Sequence, residues 1–115
     1  MVVDAWAELE ADGIFHALAD STRRDVLARV IVDEQSVSAL ARNYEMSFAA
    51  VQKHVAVLER AMLITKRRNG REQMVRGNVS TLRTAATVLA AYEQLWVGRL
   101  TQIADMLADE KGDTA

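Results

Sequence analysis

The chain has 115 residues, enough for one domain with its own core and too few for two. It has no cysteine, no proline and two histidines, His16 and His54, which excludes disulfides, thiolate metal centres, cysteine nucleophiles and a histidine-rich zinc site within one chain. The formal net charge of −2 argues at first sight against nucleic acid, but a total hides its distribution. Residues 1–20 hold five acids and no Lys or Arg. Residues 53–76 hold Lys53, Arg60, Lys66, Arg67, Arg68, Arg71 and Arg76 against Glu59 and Glu72, a net +5. A basic segment on an acidic body suits a phosphate-binding surface; the competing reading is a solvated face.

Nineteen alanines and few aromatics favour helix. Residues 4–19 read as a first helix, with Val3, Trp6, Ile14, Phe15 and Leu18 at helical spacing and Gly13 as a weak point. Asp20 and Ser21 offer caps for a second helix, whose Val26, Leu27, Val30 and Ile31 form one face. Ser36 is placed to cap a short third helix with Val37, Leu40 and Ala41 inward, and a break follows at residues 43–46. Ser47 then caps a fourth helix, with Val51, Val55, Leu58 and Met62 three or four residues apart. From Leu63 the pattern changes: residues 63–68 and 71–76 are extended runs around Asn69-Gly70, a dipeptide favoured in type I′ hairpin turns.

Ser80 is placed to cap a last helix in which Leu82, Ala85, Leu89, Tyr92, Trp96, Leu100, Ile103 and Leu107 form an apolar stripe, widened by Val88, Ala91 and Leu95. Roughly 28 helical residues span about 42 Å, longer than a globule of this size needs. The stripe therefore predicts a homodimer whose interface includes Val3, Trp6, Leu89, Tyr92, Trp96, Leu100 and Ile103. A helix buried on several sides of a monomer is the other reading. Residues 1–108 make a single domain and 109–115 a short polar tail. Nothing resembles a targeting segment, and the longest uncharged run, residues 84–92, falls far short of the roughly 20 residues of a membrane span. The expectation is a cytoplasmic protein with no membrane partner.

Helices at 36–44 and 47–61, parted by a turn of two or three residues, have the spacing of a helix–turn–helix. Ala41 supplies the small residue such packing needs, and Leu40, Val51 and Val55 the apolar anchors. Glu45 stands where a turn of this kind favours glycine. A basic hairpin directly after the second helix turns the pattern into a winged helix.

Three motifs in order carry a family resemblance. Phe15-His16-Ala17-Leu18-Ala19-Asp20-Ser21-Thr22-Arg23-Arg24 resembles the F-x-A-L-A-D-P-T-R-R opening of ArsR-type winged-helix repressors. Ser47-Phe48-Ala49-Ala50-Val51-Gln52-Lys53-His54-Val55-Ala56-Val57-Leu58 is similar to their recognition run S-x-P-A-V-S-K-H-L-x-V-L. Glu59-Arg60-Ala61-Met62-Leu63-Ile64 and Arg67-Arg68-Asn69-Gly70-Arg71 resemble the following L-x-x-A-G-L-V and R-R-x-G-R. The resemblance covers residues 14–78 and continues loosely beyond. Ser21 and Ala49 stand where the family usually has proline, and Gln52 where it has serine.

The resemblance implies a mainly α fold with a small β-hairpin: about five helices plus a two-stranded wing, dimerising through the first and last helices. It implies a sequence-specific regulator, a dimeric repressor on double-stranded DNA with an inverted-repeat operator. A small enzyme is the remaining alternative, disfavoured because the chain holds no nucleophile elbow, P-loop or dinucleotide fingerprint. Helix 47–61 would enter the major groove and the wing, 63–76, would follow the backbone or minor groove. The expected DNA-contacting residues are Ser47, Phe48, Ala49, Gln52, Lys53, Lys66, Arg67, Arg68 and Arg71. Ser47 caps the helix whose N-terminus attracts phosphate; Gln52 can read adenine, and Lys53 guanine or phosphate. Phe48 either touches a thymine methyl or packs on the wing or second helix, and Ala49 leaves room for close approach. His54 is expected to orient the helix, His16 to face the first-helix packing, and Arg23 and Arg24 to meet phosphate or to pair with Asp20.

Metal-sensing relatives often carry Cys-x-Cys where this chain has Ser36-Val37-Ser38, and residues 80–110 contain no histidine for the family's other metal site. No metal and no cofactor is expected, and the residues leave room for an effector they do not name. A winged-helix protein-interaction module that no longer reads DNA is the alternative, disfavoured by the +5 segment.

Overall fold

The computed structural model describes residues 11–113, so Val3, Trp6 and residues 4–10 of the first expected helix lie outside the described residues. Helix α1 spans Ala11–Leu18, α2 Ser21–Val32, α3 Val37–Ala41, α4 Phe48–Arg60 and α5 Val79–Asp113. Strand β1 is Gln35–Ser36, β2 Ile64–Asn69 and β3 Glu72–Gly77. The mainly helical fold and the hairpin are as expected.

Three of the expected caps are made. Asp20 Oδ1 accepts from the Arg23 backbone N–H at 3.0 Å, Ser36 Oγ from Ala39 at 3.0 Å, and Ser47 Oγ from Ala50 at 3.1 Å. Ser80 is not a cap: α5 begins one residue earlier, directly after Asn78, whose side-chain amide donates to Met62 O at 2.9 Å. That bond ties the start of α5 to the end of α4.

One core joins the elements. Ile14 and Ala17 of α1, Val26, Leu27 and Val30 of α2, Val37 and Leu40 of α3, and Val51, Val55 and Leu58 of α4 are buried together with Leu63, Ile64 and Val75. His16 and Ile31 are exposed, which corrects their assignment to packing faces.

Met62 also departs from its expected place on the α4 face. It lies beyond the helix end, 57% exposed, with φ +62°. Its N–H donates to Glu59 O at 2.9 Å and that of Leu63 to Leu58 O at 3.0 Å, the paired bonds of a Schellman motif. The left-handed position of that motif favours glycine, the residue at this point of the A-G-L-V pattern; here a methionine occupies it.

The wing differs from the expected hairpin in two details. Asn69 pairs with Glu72, so the two-residue loop is Gly70-Arg71, one step later than expected. Of its central residues only Gly70 has positive φ, +65°, the pattern of a type II′ turn rather than I′. The wing is also not merely two-stranded. Gln35 and Ser36 pair with Val75 and Met74, making a three-stranded antiparallel sheet of order β1-β3-β2. At its base, a Cβ on Gly77 would meet Ile31 Cγ1 at 2.7 Å, so glycine lets β3 pass close over α2.

Candidate nucleic-acid interface

Helix α4 separates its residues by face. Val51, Val55 and Leu58 are at most 1% exposed and hold the helix on the core. Phe48, Ala49, Gln52 and Lys53 are all exposed, and their i, i+1, i+4, i+5 spacing puts them on one stripe. Gln52 and Lys53 have no protein partner among the described residues, so their donors and acceptors are open to a ligand. The segment before α4 is longer than expected. Helix α3 stops at Ala41 and six residues, 42–47, intervene, because Asn43 Nδ2 donates back to Ala39 O and Leu40 O at 3.3 and 3.2 Å and closes the helix. Tyr44 anchors this turn: its hydroxyl donates to Asp25 Oδ2 at 2.5 Å, and Arg29 Nε donates to the same oxygen at 2.8 Å. Burial and that carboxylate push the Tyr44 phenol up to about 12.

Strand alternation divides the wing cations. Lys66 pairs across to buried Val75 and Arg68 to Gln73, so both stand on the sheet face that packs on the helices. Arg67, opposite Met74, stands on the reverse face. Lys66 Nζ lies 3.3 Å from Glu59 Oε1, linking the end of α4 to the wing. Arg67 grips Glu34 with two donors, Nε to Oε2 at 3.1 Å and Nη2 to Oε1. The guanidinium holds the Glu34 carboxyl below its ordinary range, and the carboxylate raises Arg67 in return. Arg68 and Arg71 have no ion pair among the described residues. The sequence grouped four of the five wing cations, leaving out Arg76, and gave no sign of Glu34, Glu59 or Tyr44 as partners. Glu34 and Arg67 are 33 residues apart, so no local pattern could have signalled that pair.

Arg23 makes the expected ion pair with Asp20 and also does something neither alternative named. Its Nε donates to Ala17 O and its Nη2 to His16 O, both at 2.8 Å, while Arg24 Nη1 donates to Leu18 O at 2.7 Å. The two arginines thus satisfy the orphan carbonyls that end α1. Arg23 Nη1 also donates to His54 Nδ1 at 3.3 Å and lies 3.9 Å from Asp20 Oδ2. Asp20, His54 and Arg23 therefore bind α4 to the α1–α2 corner, the orienting role expected of His54. The Asp20 carboxyl is lowered, first by the Arg23 backbone N–H it accepts.

Of the expected interface residues on α5, Leu89, Tyr92, Trp96, Leu100 and Ile103 are all exposed, as are Leu95, Met106 and Leu107. Among the described residues α5 reaches the body through its first four turns, with Thr81 and Val88 buried and Leu82 packed on the core. Ala11 and Phe15 of α1 meet Leu89 and Tyr92 around an open apolar groove of about 490 Å³, continuous with the stripe. Among the described residues no cluster of three or more His, Cys, Asp or Glu could hold a metal ion. No helix among them is long and apolar enough to cross a membrane.

No protein-family model matches the chain. Over 103 residues it is 32% identical to the HTH-type transcriptional regulator Rv2034 of Mycobacterium tuberculosis, covering 90% of this chain and 94% of that one. An ArsR-like transcriptional regulator from Rhodococcus sp. RHA1, of solved structure, is 31% identical with a TM-score of 0.80, over 95% of this chain and 98% of the other. The homodimeric winged helix-turn-helix DNA-binding domain of Mb0332 from Mycobacterium bovis shares the fold at a TM-score of 0.58 and 24% identity, over 80% of this chain and 82% of that one. The chain belongs to the ArsR family of winged helix-turn-helix transcriptional regulators.

Proposed function

We propose that the protein is a cytoplasmic, homodimeric repressor that binds an inverted-repeat operator in double-stranded DNA. Helix α4 enters the major groove, where Gln52 and Lys53 read base edges beside Phe48 and Ala49, with the Ser47-capped N-terminus toward phosphate. The wing tip, Arg68 and Arg71, meets the backbone or minor groove. The observation that carries this reading is the free face of α4. Four exposed residues, including an amide and an ammonium without partners among the described residues, stand opposite a fully buried apolar face. The uncovered α5 stripe and the homodimeric Mycobacterium bovis neighbour support the dimer. A two-fold pair of α4 helices about 34 Å apart would reach successive major grooves.

Gel shifts on the promoter region of its own gene, at two salt concentrations, test the proposal. The expected result is a specific complex that weakens steeply as salt rises, because each phosphate contact releases counterions. Absence of any specific, salt-sensitive shift rejects it.

A further inference from the structure

We propose that Arg67 is a positioning residue and not a phosphate ligand: with Glu34 it forms a clamp that fixes the wing on the body and leaves Arg68 and Arg71 as the wing's DNA-facing cations. This rests on the DNA-binding reading above. Beyond Ile64 and Val75 the hairpin has no buried residue, so residues 66–73 form a lever packed only at its base, which the Lys66–Glu59 ion pair ties to α4 on the helix-facing side alone. Strand β1 supports that base with just two pairs, Gln35 to Val75 and Ser36 to Met74. Glu34 immediately precedes β1, on the far side of β3 from β2. Arg67 therefore reaches across the sheet to it, joining β2 to the β1 edge at the level of Met74. A two-donor guanidinium–carboxylate fork fixes orientation as well as distance, which a single lysine contact would not.

Two consequences separate this role from direct binding. An arginine that touches phosphate contributes about one unit to the slope of log affinity against log salt. An arginine already neutralised by a carboxylate on the reverse face does not. Releasing it should add to the slope, because an unpaired guanidinium near the duplex becomes available. In the free protein, loss of the clamp should loosen the wing whether or not DNA is present.

The experiment measures binding of a mixed-sequence duplex across a salt series for wild type, Arg67→Gln, Arg68→Gln and Glu34→Gln, with amide hydrogen exchange on the same proteins without DNA. Arg68→Gln is expected to lower the slope by about one, Arg67→Gln by less than half as much, and Glu34→Gln to raise it. Exchange at residues 66–74 should quicken several-fold in Arg67→Gln and Glu34→Gln alike. It should return toward wild type in the charge-swapped double variant, Glu34→Arg with Arg67→Glu. The proposal is overturned if Arg67→Gln lowers the slope as much as Arg68→Gln, or if neither clamp variant changes wing exchange. If no protein, wild type included, binds in a salt-dependent way, it is the DNA reading that fails, and the exchange data still decide the clamp.

Discussion

Helices α4 and α5 leave opposite kinds of surface uncovered. Helix α4 buries every apolar residue of its inward face and shows solvent mainly an amide, an ammonium and small or single aromatic groups. Helix α5 buries its first turns and then carries Leu95, Trp96, Leu100, Ile103 and Leu107 into solvent along a rod of 35 residues, about 52 Å at the usual rise. The contrast teaches that α4 is complete within one chain and free for a polar partner. Helix α5 is incomplete, since each large apolar side chain left in water forgoes roughly 1.5–3 kcal/mol. An exposed apolar stripe of this length needs an apolar partner, and the chain's own copy is the partner proposed for it.

The largest expected effect comes from opening the complete helix. Leu58→Ala, in a fully buried position, should cost about 2–5 kcal/mol in denaturant unfolding, with the same loss at every protein concentration. A loss that varies with concentration would mean the core of the body is not independent of assembly.

The incomplete helix should behave in the reverse way. Trp96→Glu, 63% exposed in the single chain, should raise the dimer dissociation constant by a hundredfold or more, about 3 kcal/mol, while helix content is retained. Light scattering at two concentrations reads this directly; an unchanged mass would refute the stripe as an interface.

On the free face of α4 the expected change is in choice of base. Gln52→Ala should relax preference at one position per half-site by about 1–3 kcal/mol, whereas Arg68→Ala should weaken all sequences alike. Binding measured against a panel of single-base operator variants distinguishes the two. Equal behaviour of both variants would contradict the division between helix and wing.

The smallest effect lies at the end of α4. Met62→Gly should stabilise the protein by about 0.5–1 kcal/mol, because glycine relieves the left-handed backbone strain that methionine carries there. The side chain is mostly exposed, so little packing is lost. A destabilised variant would show that the Met62 side chain has a contact worth more than the strain.

Local signals were legible where one residue and its near neighbours decide the outcome. Asp20, Ser36 and Ser47 cap their helices because a short polar side chain before a helical run has few other ways to satisfy the first N–H groups. Val51, Val55 and Leu58 are buried because their spacing fixes a face. The failures are local too, but competitive. Asn69-Gly70 suggested its own turn, yet the register set by Ile64 and Val75 in the core shifted the loop to Gly70-Arg71. Ser80 looked like a cap, yet Asn78, bonded to Met62, marks the start of α5.

The charge distribution of the chain has the same boundary. By itself the sequence determined that a +5 segment coincides with the end of the second helix–turn–helix element and the hairpin, that thiolate chemistry is excluded, and that the last helix is too long and too apolar for a body of this size. These follow from composition and periodicity, which are properties of the chain. Only the tertiary structure decided which of those charges are free. Lys66 and Arg67 meet Glu59 and Glu34, whereas Lys53, Arg68 and Arg71 meet no carboxylate among the described residues. Strand alternation sends neighbouring cations to opposite faces, and chain folding brings an acid to one face from 33 residues away. Ion pairing depends on distance in space, and no count along the chain can supply it.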